Sequence, residues 1–268
     1  MNTLKTIHHI INPYNSDQSS ESGLDDVQEV TVISMINAKT RFLQSPFCKD
    51  AEVRLYYVQM KDEICHMPEN FTKLPDLRKS VLDYFTPTGL QRELPLLQDI
   101  LDSVSILAPK RDDIVIYSNA DIAVKPSFYS FVCKAGQDFE SFVVNRRDVP
   151  KKDVSGSGYC KEDIDFLYSL EGKAHPGYDC FVMPYHIVEK VELGKVFLGY
   201  PPVGSILKKN MEKLSASFKL FDDVFQTFHL GEDLNWRKDT NANHEYYEAN
   251  LAFASELGYS FRKLKLLM

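Results

Sequence analysis

The stretch Ile114-Val115-Ile116-Tyr117-Ser118-Asn119-Ala120-Asp121-Ile122 decides how the chain is read. The unbroken apolar run Ile114 to Tyr117 fits a strand buried on both faces, the habit of a central strand in a parallel sheet. It passes directly into Ser118, Asn119 and Asp121, so oxygen-bearing side chains stand at the strand's carboxyl end. In open α/β sheets, ligands bind outside the carboxyl ends of the strands. Asn119 and Asp121, two residues apart, can aim at one hard cation or one ribose. An Asp in this place also serves as a helix cap or turn former, and on the residues alone both readings stay open.

Upstream, Leu4 to Asn12 is rich in strand-forming residues and closes on Asn12-Pro13-Tyr14-Asn15, a Pro/Asn punctuation that begins a loop. The polar stretch Ser16 to Gly23 extends that loop. Asp25 and Asp26 are N-cap residues, and Val30, Ile33 and Ile36 recur at helical spacing, which predicts a helix to about Phe42. Val53 to Met60 predicts the next strand and completes a parallel βαβ crossover. Two helical patterns lie between Pro68 and Val104, the second with Pro95 in its first turn. Downstream, a helix from Pro126 to Ala135 and a strand from Ser141 to Asn145 continue the alternation. The expected fold class is therefore α/β, a mostly parallel central sheet flanked by helices.

After Asn145, Arg146 and Arg147 suit a bidentate phosphate clamp, or a salt bridge to Asp148. Asp148 to Gly158 is polar and reads as a loop. Beyond it the pattern loosens: helical stretches appear near Lys161 to Leu170, Tyr185 to Leu193, Ser205 to Leu214 and Glu245 to Leu257. The expectation is one domain over residues 1–268, with a binding half over about 1–147 and an irregular second half over about 148–268. Within the second half, Asp179 stands between His175-Pro176-Gly177 and the strand-like Cys180 to Met183. A desolvated carboxylate there serves as a general base or as a cap. His8 and His9 are adjacent in a strand, so they face opposite sides and cannot share a metal.

Composition removes several classes. The 268 residues carry 31 basic and 38 acidic side chains, a net charge of −7, with no Lys/Arg block, so nucleic acid and anionic membrane are not expected partners. No run reaches the roughly 18 to 20 apolar residues of a membrane span, and the N-terminus lacks a signal-peptide pattern, which gives a soluble, cytoplasmic expectation. Five cysteines at irregular spacing, with no C-x-x-C, oppose a disulfide framework or a zinc ribbon. No G-x-G-x-x-G follows the first strand, which disfavours a dinucleotide dehydrogenase. A sugar nucleotidyltransferase is disfavoured because Asn12-Pro13-Tyr14-Asn15 offers neither Gly nor Lys for a phosphate loop.

Taken in order, these motifs resemble the GT-A class of nucleotide-sugar glycosyltransferases, over roughly residues 4 to 236. Ser118-Asn119-Ala120-Asp121 is similar to that class's Asp-x-Asp element, with Asn119 in place of the first acid. The resemblance implies a GT-A-like fold whose second half faces the acceptor, and transfer of a sugar from a nucleotide-sugar donor to a carbohydrate or other hydroxyl acceptor. It implies donor contacts from Asn12, Pro13, Tyr14, Asn119, Asp121 and Arg146, and a divalent metal, Mn²⁺ or Mg²⁺, at Asp121 and His229. Phe228-His229-Leu230-Gly231 looks like the C-terminal loop that completes that metal site. Asp179 and Glu232 become the candidate catalytic carboxylates and Trp236 an acceptor platform. The alternative is a non-catalytic nucleotide- or carbohydrate-binding protein of GT-A-like fold.

Overall fold

The computed structural model describes residues 4–16, 20–152, 156–231 and 241–261. In chain order the strands are β1 (Lys5–Ile11), β2 (Ala51–Tyr57), β3 (Phe71–Lys73), β4 (Ile114–Ser118), β5 (Ala123–Val124), β6 (Ser141–Val144), β7 (Arg147–Val149), β8 (Lys173–Ala174), β9 (Cys180–Pro184), β10 (Phe218–Phe221) and β11 (Thr227–Leu230). The helices are α1 (Asp26–Phe42), α2 (Leu97–Asp102), α3 (Phe128–Ala135), α4 (Ile164–Ser169), α5 (Tyr185–Val188), α6 (Val203–Leu214) and α7 (Asn241–Glu256).

Seven strands form the main sheet in the order β10-β6-β9-β4-β1-β2-β3. β1 runs parallel to β2 and β4, β3 parallel to β2, and β10 parallel to β6. β9 is antiparallel to both its neighbours, β4 and β6. The sheet is mostly parallel and helix-flanked, as the sequence predicts. Its strands alternate between two cores: Val115 and Tyr117 of β4 enter one apolar cluster with Ile100, Phe181 and Phe197, while Ile116 enters the other with Phe128, Phe142 and Val182. Burial on both faces explains why β4 reads as a continuous apolar run.

α1 begins where Asp25 accepts a hydrogen bond from the Gln28 amide (3.0 Å), with Asp26 and Glu29 in its first turn and Lys39 and Arg41 in its last, as the helix dipole favours. Gln28 is buried and holds the loop after β1: its Oε1 accepts from Tyr14 N (3.2 Å) and its Nε2 donates to Tyr14 O (2.9 Å).

The second half is more regular than its sequence suggests. β9 and β10 join the main sheet, and β11 joins β5, β7 and β8 in a second sheet of order β5-β11-β7-β8. Phe228 to Gly231, expected as a loop, falls mostly within a strand, Thr227–Leu230, that is buried along its length. Its pairing with β5 and β7 supplies the backbone partners that a buried loop would lack. The helix expected from Tyr185 to Leu193 is confined to Tyr185–Val188. None of the helices among the described residues is long and apolar enough to cross a membrane.

Candidate functional site

Register brings the strand-end residues to one edge. Ile10 of β1 lies opposite Tyr57's neighbour Tyr56 on one side and Tyr117 on the other, and Ser118 of β4 lies opposite Cys180 of β9. Asn12 and Asn119 therefore follow their strands, and Asp179 precedes the antiparallel β9, at a common level. Beyond β6, Asn145 and Arg146 lead into β7, while beyond β4, Asp121 leads into β5. The second sheet thus grows from chains leaving this edge, and β11 lays His229 opposite Asp148.

Asp121 and His229, distant in sequence, meet here with Oδ2 and Nε2 3.5 Å apart. His229 Nδ1 lies 3.0 Å from Gly231 O, to which it donates, so Nε2 is the nitrogen turned to Asp121. Burial pushes the His229 imidazole down, but the Asp121 carboxylate outweighs it and the pKa stands above the ordinary 6.5. Burial likewise pushes Asp121 up, yet His229 and Arg146 hold it below the ordinary carboxylate range. Asp121 Oδ1 is buried and has no hydrogen-bond partner among the described residues. Such an atom is costly to leave unmatched inside a protein.

Arg146 is the hub of the cluster, with 4% of its surface exposed. Its Nε donates to Asp148 Oδ1 (3.0 Å), its Nη1 to Asp179 Oδ2 (3.1 Å), and its Nη2 lies 3.4 Å from His175 Nε2. Burial disfavours the guanidinium charge, but Asp179, Asp121 and Asp148 more than offset it and raise the pKa. Asn119 donates its backbone N–H to Asp179 O and its Nδ2 to Asp179 Oδ1, both at 3.1 Å, and accepts from Tyr117 OH at 3.1 Å. Counting Asp121, Asp148 and Asp179 against Arg146 and a protonated His229 leaves one negative charge in excess.

The structure therefore gathers Asn119, Asp121, Arg146, Asp179 and His229. Arg146 spends its donors on protein groups rather than presenting them to solvent. Asn12 lies at the same edge, where its Nδ2 donates to Val58 O (2.8 Å) and joins the ends of β1 and β2. Pro13 and Tyr14 follow, with Tyr14 46% exposed. Glu232 and Trp236 lie outside the described residues. His175 and Asp148 are neighbours of the cluster that sequence reasoning did not place in it. Asp148 was visible as a salt-bridge partner for Arg146, and His175-Pro176-Gly177 as a turn, but their convergence depends on β7 pairing with β8.

Asp121 and His229 fit a divalent ion as a partial donor set: a buried carboxylate oxygen without a partner among the described residues, and an imidazole whose other nitrogen is fixed by a carbonyl. Among the described residues no group of three or more His, Cys, Asp or Glu side chains is arranged to hold a metal. The remaining positions would fall to water and phosphate oxygens, which is how Mg²⁺ is commonly held.

No protein-family model and no curated protein matches the chain in sequence. Solved structures of similar chain path include TarS 1-349 of S. aureus in complex with UDP-GlcNAc, at 8% identity and a TM-score of 0.48, covering 96% of this chain and 68% of that one. The galactosyltransferase LgtC in complex with donor and acceptor sugar analogs is similar at 9% identity and a TM-score of 0.40, covering 91% of this chain and 95% of that one. The 4-diphosphocytidyl-2C-methyl-D-erythritol synthase of Anaerococcus prevotii is similar at 12% identity and a TM-score of 0.38, covering 95% and 99%. These likenesses fix no residue's role.

Proposed function

We propose that this protein transfers a sugar from a nucleotide-sugar donor to a hydroxyl acceptor, and that Asp121 and His229 would hold the Mn²⁺ or Mg²⁺ that serves the donor diphosphate. The observation that carries the reading is the buried Asp121 Oδ1 at the carboxyl end of β4, without a hydrogen-bond partner among the described residues and inside a cluster with an excess negative charge. A diphosphate brought alone to this edge meets repulsion; with His229 deprotonated to bind an ion the cluster carries two negative charges in excess, which a divalent cation would cancel. When bound, the cation supplies charge stabilisation to the departing nucleoside diphosphate.

The chain's own residues take the remaining roles. Asp121 offers Oδ1 without breaking an existing hydrogen bond. His229 offers Nε2 on losing its proton. Arg146 holds Asp148 and Asp179 in place from within. After its bonds to Asp179 and Tyr117, Asn119 keeps one amide hydrogen and one carbonyl lone pair, a matched set for a ribose hydroxyl. Asn12 and Pro13 shape the donor entry, and the Tyr14 ring is a stacking surface for the base. Asp179 is the proposed general base, with Glu232 its rival, and Trp236 the proposed acceptor platform. Binding without turnover is the second reading, favoured by Asn119 standing where the resemblance expects an acid.

The test is a thermal-shift screen against UDP, GDP, CDP and their sugars with Mn²⁺, Mg²⁺ or EDTA, repeated with Asp121→Ala and joined to a nucleoside diphosphate release assay. Ligands that bind only the folded state raise its melting temperature. A metal-dependent shift with one nucleotide, lost in Asp121→Ala, supports the donor site, and release of diphosphate supports transfer. A shift without release favours the binding protein, and no shift with any nucleotide overturns both readings.

A further inference from the structure

A second cleft, of about 640 Å³, opens where the last turn of α1 meets the start of α3. None of its lining residues belongs to the Asp121–His229–Arg146 cluster, and among the described residues no Asp or Glu lines it. Its walls include Arg41, Ser45, Lys125, Ser127, Ser130 and Phe225. Two cations thus share a concave surface that brings no carboxylate of its own.

Lys125 is the unusual member, with 8% of its surface exposed. Its ammonium donates to Tyr168 O and sits 3.7 Å from the centroid of the Phe225 ring, with the Tyr168 and Phe228 rings at 5.9 and 5.6 Å. A second cation, Arg147, lies 5.6 Å from the same Phe225 ring. Desolvation pulls the Lys125 amine down to about 8, and no carboxylate acts to raise it. Aromatic faces and one carbonyl compensate a buried ammonium only partly. An anion in the cleft would complete the compensation.

Other donors are disposed to receive one. Arg41 spends Nη1 on Gln44 Oε1 (2.7 Å) and keeps the rest of its donor fork on an exposed side chain. Ser45 Oγ is buried without a hydrogen-bond partner among the described residues. Ser127, at the N-cap position of α3, makes no capping bond and donates instead to Gln226 Oε1 (3.0 Å), which leaves the positive end of that helix without side-chain oxygen from its own cap.

We propose that this cleft is a second binding site, for a phosphate-bearing small molecule whose anionic group is gripped between Arg41 and Lys125. It is independent of the donor-site reading, because it uses different residues and needs no metal. Its volume exceeds what one phosphate requires, and the Phe225 and Tyr168 walls accommodate an apolar or planar remainder of the ligand.

The test is calorimetric titration of the full chain with inorganic pyrophosphate in EDTA, conditions under which the acidic edge at Asp121 repels the probe. The expected result is saturable binding, weakened about tenfold or more by Arg41→Ala and by Lys125→Met, and unchanged by Asp121→Asn. Bound pyrophosphate should also protect Lys125 from reductive methylation, read by mass spectrometry. Lys125→Met removes a group packed among rings, so if that variant does not fold, Arg41→Ala decides the matter through an exposed side chain. No saturable binding, binding indifferent to Arg41→Ala, or binding strengthened by Asp121→Asn, which would place the probe at the acidic edge, overturns the proposal.

Discussion

Asn119 is tied to Asp179 twice, through its backbone N–H to the Asp179 carbonyl and through its amide to the Asp179 carboxylate, each at 3.1 Å. The first bond continues the β4–β9 ladder by one rung, and the second extends the pairing into side chains. Asp179 then passes the constraint to Arg146 through its other oxygen. Asp179→Ala strands a guanidinium that is nearly sealed from water. The expected cost is about 3 kcal/mol, because removing one partner leaves a buried charge short of compensation. That corresponds to a fall in Tm on the order of 8 °C for a chain of this size. Urea and thermal unfolding measure it, and a loss under about 1 kcal/mol would show that Arg146 does not depend on this contact.

The Asp121–His229 pair predicts a stability window in metal-free buffer. His229 has a raised folded pKa, so its contribution is complete below the ordinary 6.5 and is lost as pH rises through the folded value. Asp121 has a lowered folded pKa, so its contribution is present above the ordinary 3.8 and is lost as pH falls through the folded value. The stability difference between the wild type and Asp121→Asn should therefore be greatest between these two ordinary values and shrink on either side. A difference independent of pH would mean that the two groups do not titrate as a pair.

Much of this frame was legible because burial leaves a local mark. The apolar run of β4 and the Asp25 cap of α1 follow from side chains within a few residues of one another. The convergence of Asn119 and Asp121 with the strand end followed in turn. What stayed hidden depends on distant pairing. Cys180 to Met183 reads as a strand, but nothing in an apolar run says that it opposes β4 and β6 rather than running with them. The short strands of the second sheet gain their order from each other, so Phe228 to Gly231 reads as a loop. Arg146 likewise presents the same residue type whether it points at a phosphate or inward at Asp148 and Asp179.

His9 offers a separate acid-sensitivity prediction. Its ring is fully buried, with Nδ1 2.9 Å from Tyr129 OH and Nε2 2.9 Å from Ser118 Oγ, and desolvation lowers its pKa from 6.5 to about 3. A depressed folded pKa means that stability is fully present above 6.5 and is lost as pH falls towards 3. His9→Phe removes that titration while leaving the two hydroxyls without their partner, at about 1–3 kcal/mol. The variant should be less stable than wild type at pH 7, and its unfolding free energy should fall less steeply with acid between pH 6.5 and 3. Equal slopes would place the acid sensitivity elsewhere.

Gly204, in the first turn of α6, links the helix layer to the candidate site by close approach. A Cβ added there would stand 2.4 Å from Tyr178 O, a backbone atom that cannot swing aside. The glycine thus lets α6 rest against the chain one residue before Asp179. Gly204→Ala must push the helix outward or shift the Tyr178 carbonyl, and overpacking of this kind costs about 1–3 kcal/mol. A shift of Tyr178 is transmitted to Asp179 and through it to Asn119 and Arg146. The variant should therefore melt several degrees lower, and any metal-dependent nucleotide stabilisation seen in wild type should diminish with it. If Gly204→Ala melts at the wild-type temperature, the contact is softer than its geometry implies. If it melts lower but keeps the full nucleotide shift, the strain is absorbed by α6 and does not reach Asp179.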